Sequence, residues 1–305
     1  MTNNSFTSKL LSLSRRYAYV WYDGKITLGK FASNQSDYII GDIVNCYLEN
    51  NEVYVSGFNE RKNILKRCYF DNIKNIACNI DKIFLVVSPK PMLNTFFVDN
   101  VIATANKEKI PVTIILNKCD LDISGVLPII EIYKNLNITI LKTSTKTLEG
   151  VEDLKNYFDN TSEGQVLFCG LSGVGKSSIL NTLLGDEINK VGELGKRGGG
   201  KQTTTQAFGF HYNSKKRLAD KKQDLFIIDL PGISNFTVSY LDKYEVSGLF
   251  TDINTLSKKC EYEDCLHINE PNCNVKDALE IGTLSKSRYD SYVGIIESIE
   301  EARKY

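Results

Sequence analysis

The sequence predicts a multidomain α/β protein with a small all-β domain in front. The expected parts are an N-terminal OB-fold barrel, a P-loop domain with its motifs in circularly permuted order, and a C-terminal zinc-binding helical module. Three observations predict this. Short aromatic strands separated by polar turns fill the N-terminal part of the chain. A complete phosphate-binding loop at Gly170–Ser177 follows the tetrad Asn117-Lys118-Cys119-Asp120, where the common order is the reverse. Three cysteines and one of only two histidines gather at Cys260, Cys265, His267 and Cys273. The 305 residues and 42% apolar content suffice for several cores. The expected division is 1–68 for the barrel, 69–238 for the P-loop domain and 239–305 for the metal module.

The barrel is read from its turns. Tyr17-Ala-Tyr-Val-Trp-Tyr22 reverses at Asp23-Gly24 into Lys25-Ile-Thr-Leu-Gly-Lys-Phe31, and further strands run over Gly41–Leu48 and Glu52–Val55. A barrel of this size is a frequent oligonucleotide binder. Tyr17, Tyr19, Trp21 and Tyr22 then have two readings, base-stacking platform or core. Arg61-Lys-Asn-Ile-Leu-Lys-Arg67 reads as a basic connector, either solvated or touching phosphate.

The pattern G-x-x-x-x-G-K-[ST] is met in full by Gly170-Leu171-Ser172-Gly173-Val174-Gly175-Lys176-Ser177, followed by Ser178. An apolar strand, Gln165–Cys169, precedes it and a helical pattern, Ser178–Leu184, follows. Glycines let amides turn inward around phosphate oxygens, and the helix N-terminus adds positive potential. Lys176 is expected on the β- and γ-phosphates and Ser177 on magnesium.

Asn117-Lys118-Cys119-Asp120 closes the apolar strand Val112–Leu116. The Asp120 carboxylate accepts both N–H groups on the Watson–Crick edge of guanine, and adenine would leave it unpaired at a cost of about 1–3 kcal/mol. A second strand ends in Thr143-Ser144-Thr145-Lys146, where Ser144 backs the base. After the phosphate loop, Gly195–Thr205 is a basic glycine-rich loop with three threonines, of which Thr204 is the expected switch I residue. Leu225–Ile228 then leads into Asp229-Leu-Pro-Gly232, a D-x-x-G switch II, with Asp229 near magnesium and the Gly232 amide facing the γ-phosphate. Five motifs in consistent register make this a circularly permuted P-loop GTPase domain that takes GTP with Mg2+.

Three thiolates and one imidazole form a complete tetrahedral zinc set, which marks a structural rather than catalytic ion. The spacing is not the common paired C-x-x-C form, so free loop cysteines remain the alternative on spacing alone. Cys46, Cys68, Cys78, Cys119 and Cys169 lie in apolar surroundings and read as small core residues. His211 sits in an apolar strand and reads as structural. The last helix shows an apolar stripe at Tyr292, Ile295, Ile296 and Ile299. Lys215–Lys222 reads as a basic hairpin, with a solvated turn at least as open a reading as a nucleic-acid contact.

Formal net charge is zero, so any nucleic-acid surface must be local. The start, Met1–Thr7, is polar rather than a signal peptide. No apolar stretch reaches the ~18–20 residues of a membrane span. The eight cysteines argue for reduced thiols and a cytoplasmic protein.

Together these pieces resemble the RsgA (YjeQ) family of small-subunit-dependent GTPases. The resemblance rests on Gly41–Val44, Arg61–Leu65, Ile76–Asp81, Asn117–Asp120, Gly170–Ser178, Thr203–Thr205, Asp229–Gly232 and the zinc segment with Glu270-Pro271. It implies a late assembly factor that binds the small ribosomal subunit and its rRNA. It also implies slow GTP hydrolysis, stimulated by the subunit and coupled to release of the factor, and a monomer that meets no membrane. Two departures stand out. Gln202 precedes the threonines where the family commonly has histidine, and Ile233 follows D-x-x-G where Ras-like enzymes hold a catalytic glutamine. Gln202 is therefore the candidate for positioning water. A permuted GTPase of large-subunit assembly and a weakly hydrolysing RNA-binding adaptor are the competing readings.

Overall fold

The computed structural model describes residues 5–14, 16–32, 37–69, 72–185, 207–220, 223–230 and 238–302. Its first unit is a closed barrel of β1 (Ser5–Leu13), β2 (Tyr17–Tyr22), β3 (Lys25–Phe31), β4 (Ile43–Glu49) and β5 (Glu52–Phe58), in the order β1-β2-β3-β5-β4. The pairing is antiparallel except for β3 and β5, which run parallel with Lys30 beside Tyr54. This is the OB order. Alternation puts Leu10, Ala18, Val20, Val44, Cys46, Val53 and Val55 inside. Irregular register in β1 and between Asn45 and Cys46 supplies the bends that closure needs.

The sequence reading did not identify β1. Ser5-Phe-Thr-Ser-Lys-Leu-Leu-Ser-Leu13 looks polar at its start and does not alternate cleanly. The structure supplies the reason. Both Leu10 and Leu11 are buried, Leu10 in the barrel core and Leu11 against Gly209 of another unit.

A hairpin, β6 (Ile64–Tyr69) and β7 (Asn72–Cys78), leads out of the barrel. The expected boundary at 68/69 falls within it. Arg61 does not lie free for phosphate. Its guanidinium makes two bonds to the buried Asp42 carboxylate, 2.6 and 2.9 Å, and stacks on Phe58 at 4.3 Å.

Six strands form the central sheet: β8 (Lys82–Val87), β9 (Val112–Leu116), β10 (Thr139–Lys142), β11 (Gln165–Cys169), β12 (Phe208–Tyr212) and β13 (Leu225–Asp229). Their order is β10-β9-β8-β11-β13-β12, all parallel except the edge strand β12. Strands such as Lys-Ile-Phe-Leu-Val-Val87 are apolar on both faces because helices cover both. Those helices are α1 (Thr95–Lys107), α2 (Leu127–Asn135), α3 (Val151–Asn160) and α4 (Lys176–Leu184). Asn94 caps α1, its Oδ1 accepting from the Phe97 amide at 2.9 Å.

The basic segment after β12 is a short helix, α5 (Lys215–Ala219), rather than a hairpin. Arg217 turns inward and donates to the carbonyls of Phe158, Thr161 and Gln223. The long Arg217 stem carries its guanidinium to these three carbonyls, two of them at the end of α3.

The barrel docks on edge strand β12. Ser12 Oγ donates to the Ala207 carbonyl at 2.9 Å, and Trp21 stacks on His211 with ring centres 4.1 Å apart. Asp224 accepts from Trp21 Nε1 at 3.1 Å and pairs with His211 Nε2 at 2.9 Å. Trp21 and Tyr19, which lies against Phe208, are thus interface residues and not base platforms. Tyr22 packs on Phe6.

The C-terminal module holds α6 (Val246–Leu249), α7 (Thr251–Ser257), α8 (Asn274–Glu280) and α9 (Lys286–Ala302). The stripe Tyr292, Ile295, Ile296 and Ile299 faces its core, together with Ala103 of α1. Arg288, 1% exposed, bridges Asp99 of α1 and Asp252 of α7.

Candidate functional site

The strand order decides where the motifs meet. Asn117 leaves the carboxyl end of β9 and Gly170 that of β11, with only β8 between them. Chain direction reverses its progress across the sheet at this point, which opens the crevice where parallel sheets take ligands.

Asn117 is 1% exposed, and its Nδ2 donates to the Val174 carbonyl at 3.0 Å. Its Oδ1 accepts from Thr143 Oγ1 at 3.2 Å. Gly175 shows why glycine stands there. Its φ is +91°, and a Cβ would lie 2.2 Å from Asn117 Nδ2. Lys118 Nζ crosses the loop to the carbonyls of Gly173 (2.5 Å) and Lys90 (2.7 Å). Asn117 and Lys118 thereby tie the tetrad to the phosphate loop.

Asp120 is partly exposed. Ser144 Oγ donates to its Oδ1 at 2.6 Å, and Lys146 Nζ stands 3.7 Å from Oδ2. The Ser144 hydroxyl, with Lys146 behind it, holds the Asp120 carboxyl below the usual range, so the group is a carboxylate ready to accept. Cys119 turns away, its Sγ donating to the Leu116 carbonyl at 3.2 Å, and burial pushes its thiol up.

Helix α4 begins at Lys176 with no side chain capping its first amides. Those amides give the helix start a positive potential, directly after the loop Leu171-Ser172-Gly173-Val174-Gly175. Ser177 and Ser178 are exposed on the first turn. Lys176 Nζ is ion-paired with Asp229 at the end of β13. A hydroxyl and a carboxylate, Ser177 and Asp229, are the hard oxygen donors magnesium takes. Gln202, Thr203–Thr205, Gly232 and Ile233 lie outside the described residues.

A second constellation lies in the C-terminal module. The donor atoms of Cys260, Cys265, His267 and Cys273 all fall within 4.8 Å of one another. Cys260 Sγ is 3.9 Å from Cys273 Sγ, and His267 Nδ1 is 3.6 and 3.4 Å from these two sulfurs. A tetrahedral ion with Zn–S of about 2.3 Å and Zn–N of about 2.0 Å sets sulfur–sulfur near ~3.8 Å and sulfur–nitrogen near ~3.5 Å. The donor set and its spacing fit such an ion. Burial pushes the Cys265 thiol up to about 12, while the His267 amide facing its sulfur pulls the other way.

The sequence names Asn117, Lys118 and Gly175 but not the partners that brace them. Val174, Gly173 and Lys90 act through backbone carbonyls, which no residue type announces. Thr143, which the sequence presents only as part of a loop, fixes the Asn117 amide.

Residues 58–239 match the RsgA GTPase family. The small ribosomal subunit biogenesis GTPase RsgA of Borrelia garinii subsp. bavariensis is 34% identical over 312 residues, spanning 99% of this chain and 95% of its own. The protein of the same name from Thermotoga petrophila is 32% identical over 286 residues, 90% and 88% of the two chains. Among solved structures, YjeQ from Thermotoga maritima matches with a TM-score of 0.72 at 26% identity, over 97% of this chain and 98% of that one. YloQ, a circularly permuted GTPase, matches in fold with a TM-score of 0.69 over 98% and 96%.

Proposed function

The chain belongs to the RsgA GTPase family, and from that premise we propose that it hydrolyses GTP in late maturation of the small (30S) ribosomal subunit. The observation that supports the reading is the bond from Asn117 Nδ2 to the Val174 carbonyl, which joins the candidate base-reading tetrad to the candidate phosphate loop. In this proposal Asp120 reads the guanine edge, Asn117, Lys118 and Ser144 hold its frame, and the amides of Gly170–Ser178 wrap the phosphates. Lys176 leaves Asp229 for the β- and γ-phosphate oxygens. Ser177 and Asp229 would hold magnesium, which would supply charge neutralisation at the phosphates. Thr204 and the Gly232 amide close on the γ-phosphate, and Gln202 orients water in place of the family histidine.

Zinc is the metal proposed for Cys260, Cys265, His267 and Cys273, because thiolate-rich tetrahedral sets favour it. The barrel and the metal module flank the GTPase domain, and rRNA is the proposed partner of both. The division 1–68, 69–238 and 239–305, a monomeric state and a cytoplasmic location belong to the same reading. Among the described residues no helix is long and apolar enough to cross a membrane.

Phosphate release from GTP with and without purified small subunits tests the function. Stimulation by small but not large subunits is expected. Equal rates in all three mixtures would overturn it. Unchanged stimulated turnover in Gln202→Ala would remove Gln202 from the water-positioning role.

A further inference from the structure

The turn carrying His267 has a conformation that its own sequence does not favour. His267 sits at φ +62°, in the left-handed region that disfavours residues with a Cβ. Around it, nearly every backbone polar group is committed. The amides on either side, Leu266 and Ile268, donate to the two Glu270 carboxylate oxygens at 2.9 Å each, and the Asn269 amide joins Oε2 at 3.0 Å. The His267 amide faces the Cys265 sulfur. The Leu266 and His267 carbonyls accept from Tyr292 and Tyr289 of α9 at 3.0 and 2.8 Å. The Glu270 carbonyl accepts from Lys276 Nζ at 3.2 Å.

One carboxylate thus gathers three amides into a tight turn, and the imidazole that results points Nδ1 at two sulfurs. We propose that Glu270 is the positioning residue of the metal site, locking the Cys265–Asn269 turn so that His267 meets the metal through Nδ1. Glu270 is not itself a ligand, because both its oxygens are taken by amides. Its charge serves the same end: a carboxylate holds three N–H donors more firmly than a neutral acceptor would. The ring's other nitrogen, Nε2, is buried with no hydrogen-bond partner among the described residues. That leaves ring orientation to the backbone turn, where metal-binding histidines ordinarily have the second nitrogen fixed by a partner.

This inference rests on metal binding by the Cys/His cluster, and its test separates the two claims. Zinc affinity of the full chain is measured by competition with a chromophoric chelator, for the unaltered protein, Glu270→Ala and Glu270→Gln. Glu270→Ala is expected to bind zinc about 10- to 100-fold more weakly, the usual effect of removing such a support. Glu270→Gln should fall between, since an amide oxygen still accepts but its NH2 meets a donor. GTP binding serves as the control for a folded GTPase domain and should not change. If Glu270→Ala yields no folded protein, Glu270→Gln carries the comparison.

In the cobalt-substituted protein, the charge-transfer band should keep the strength of three thiolates in every variant, because no ligand is lost. Nitrogen-15 spectra of the zinc-loaded chain should show His267 bound through Nδ1 and protonated at Nε2. Zinc affinity of Glu270→Ala within twofold of the unaltered chain would overturn the role of Glu270. Metal bound through Nε2 would overturn the geometry. An unaltered chain that binds no zinc would instead remove the metal reading itself.

Discussion

Asn117 Nδ2 donates to the carbonyl of Val174 across 57 residues of chain, and this bond joins two motifs whose order is reversed. It is local in space because β9 and β11 flank β8, whichever is made first. Asn117→Ala strands the buried Val174 carbonyl and frees the loop. We expect affinity for GTP and GDP alike to fall about 10- to 100-fold, from a loss of ~1–3 kcal/mol. Titration with a fluorescent guanine nucleotide checks it; an unchanged dissociation constant would remove the brace from the binding site.

Asp120 is the proposed reader of the base. Its carboxylate accepts two donors, while an asparagine at the same place offers one acceptor and one donor, the match for xanthine's extra carbonyl. Asp120→Asn should therefore weaken GTP by about 10-fold or more and improve XTP, since one mismatched polar pair costs ~1–3 kcal/mol. Competition between the two triphosphates reads the switch. A variant that still prefers GTP would show that recognition lies elsewhere.

Trp21 is the chain's single tryptophan and spends its ring on His211 and its N–H on Asp224. Trp21→Ala should lower stability to denaturant by about 2 kcal/mol, less than for a fully buried ring. RNA affinity measured on the folded variant should hardly move. The opposite pattern, full stability with lost RNA binding, would restore the stacking role.

Removing Arg288 leaves the Asp99 carboxylate, 0% exposed, without its partner. Burial already pushes that carboxyl up against the pull of the guanidinium. Arg288→Met should destabilise the joint between α1 and the C-terminal module by about 3–5 kcal/mol. Adding Asp99→Leu should recover most of it. Thermal unfolding of single and double variants decides, and additive losses would sink the idea.

Asp81 carries an acid dependence. Burial pushes its carboxyl up, but Lys62 and the Gln165 and Gly164 amides, 2.7 and 2.8 Å away, outweigh this and hold it below its ordinary value. A lowered folded value means stability is present above the unfolded pKa of about 3.9 and is lost as pH falls through the folded one. Asp81→Asn should be less stable at neutral pH and should lose less on acidification below about pH 4. Melting curves across that range test it; parallel acid limbs would assign the effect to other carboxylates.

The motif residues were legible because each answers a local chemical demand. A loop around phosphate needs Gly175 and Lys176, a guanine reader needs Asp120, and a tetrahedral ion needs Cys260, Cys265, His267 and Cys273. Strand alternation made β2 to β5 visible in the same way. Strand β1 escaped because two buried leucines in succession serve two different cores. Trp21 and Arg217 were open readings because aromatic and basic side chains suit surfaces as well as interfaces.

The sequence by itself determined the motif order, and hence the permutation, because covalent order is all that a reversal requires. It also determined the ligand types, since donor softness and charge belong to the side chain. Only the tertiary structure decided which groups brace them: Val174 for Asn117, Ala207 for Ser12, Asp99 for Arg288, Glu270 for the His267 turn. Asn117 and Ser12 end on backbone carbonyls 57 and 195 positions away, Arg288 pairs with a carboxylate 189 positions away, and Glu270 gathers backbone amides of its own turn. Every residue carries the same backbone donor and acceptor, so only folding selects which of them a side chain will meet.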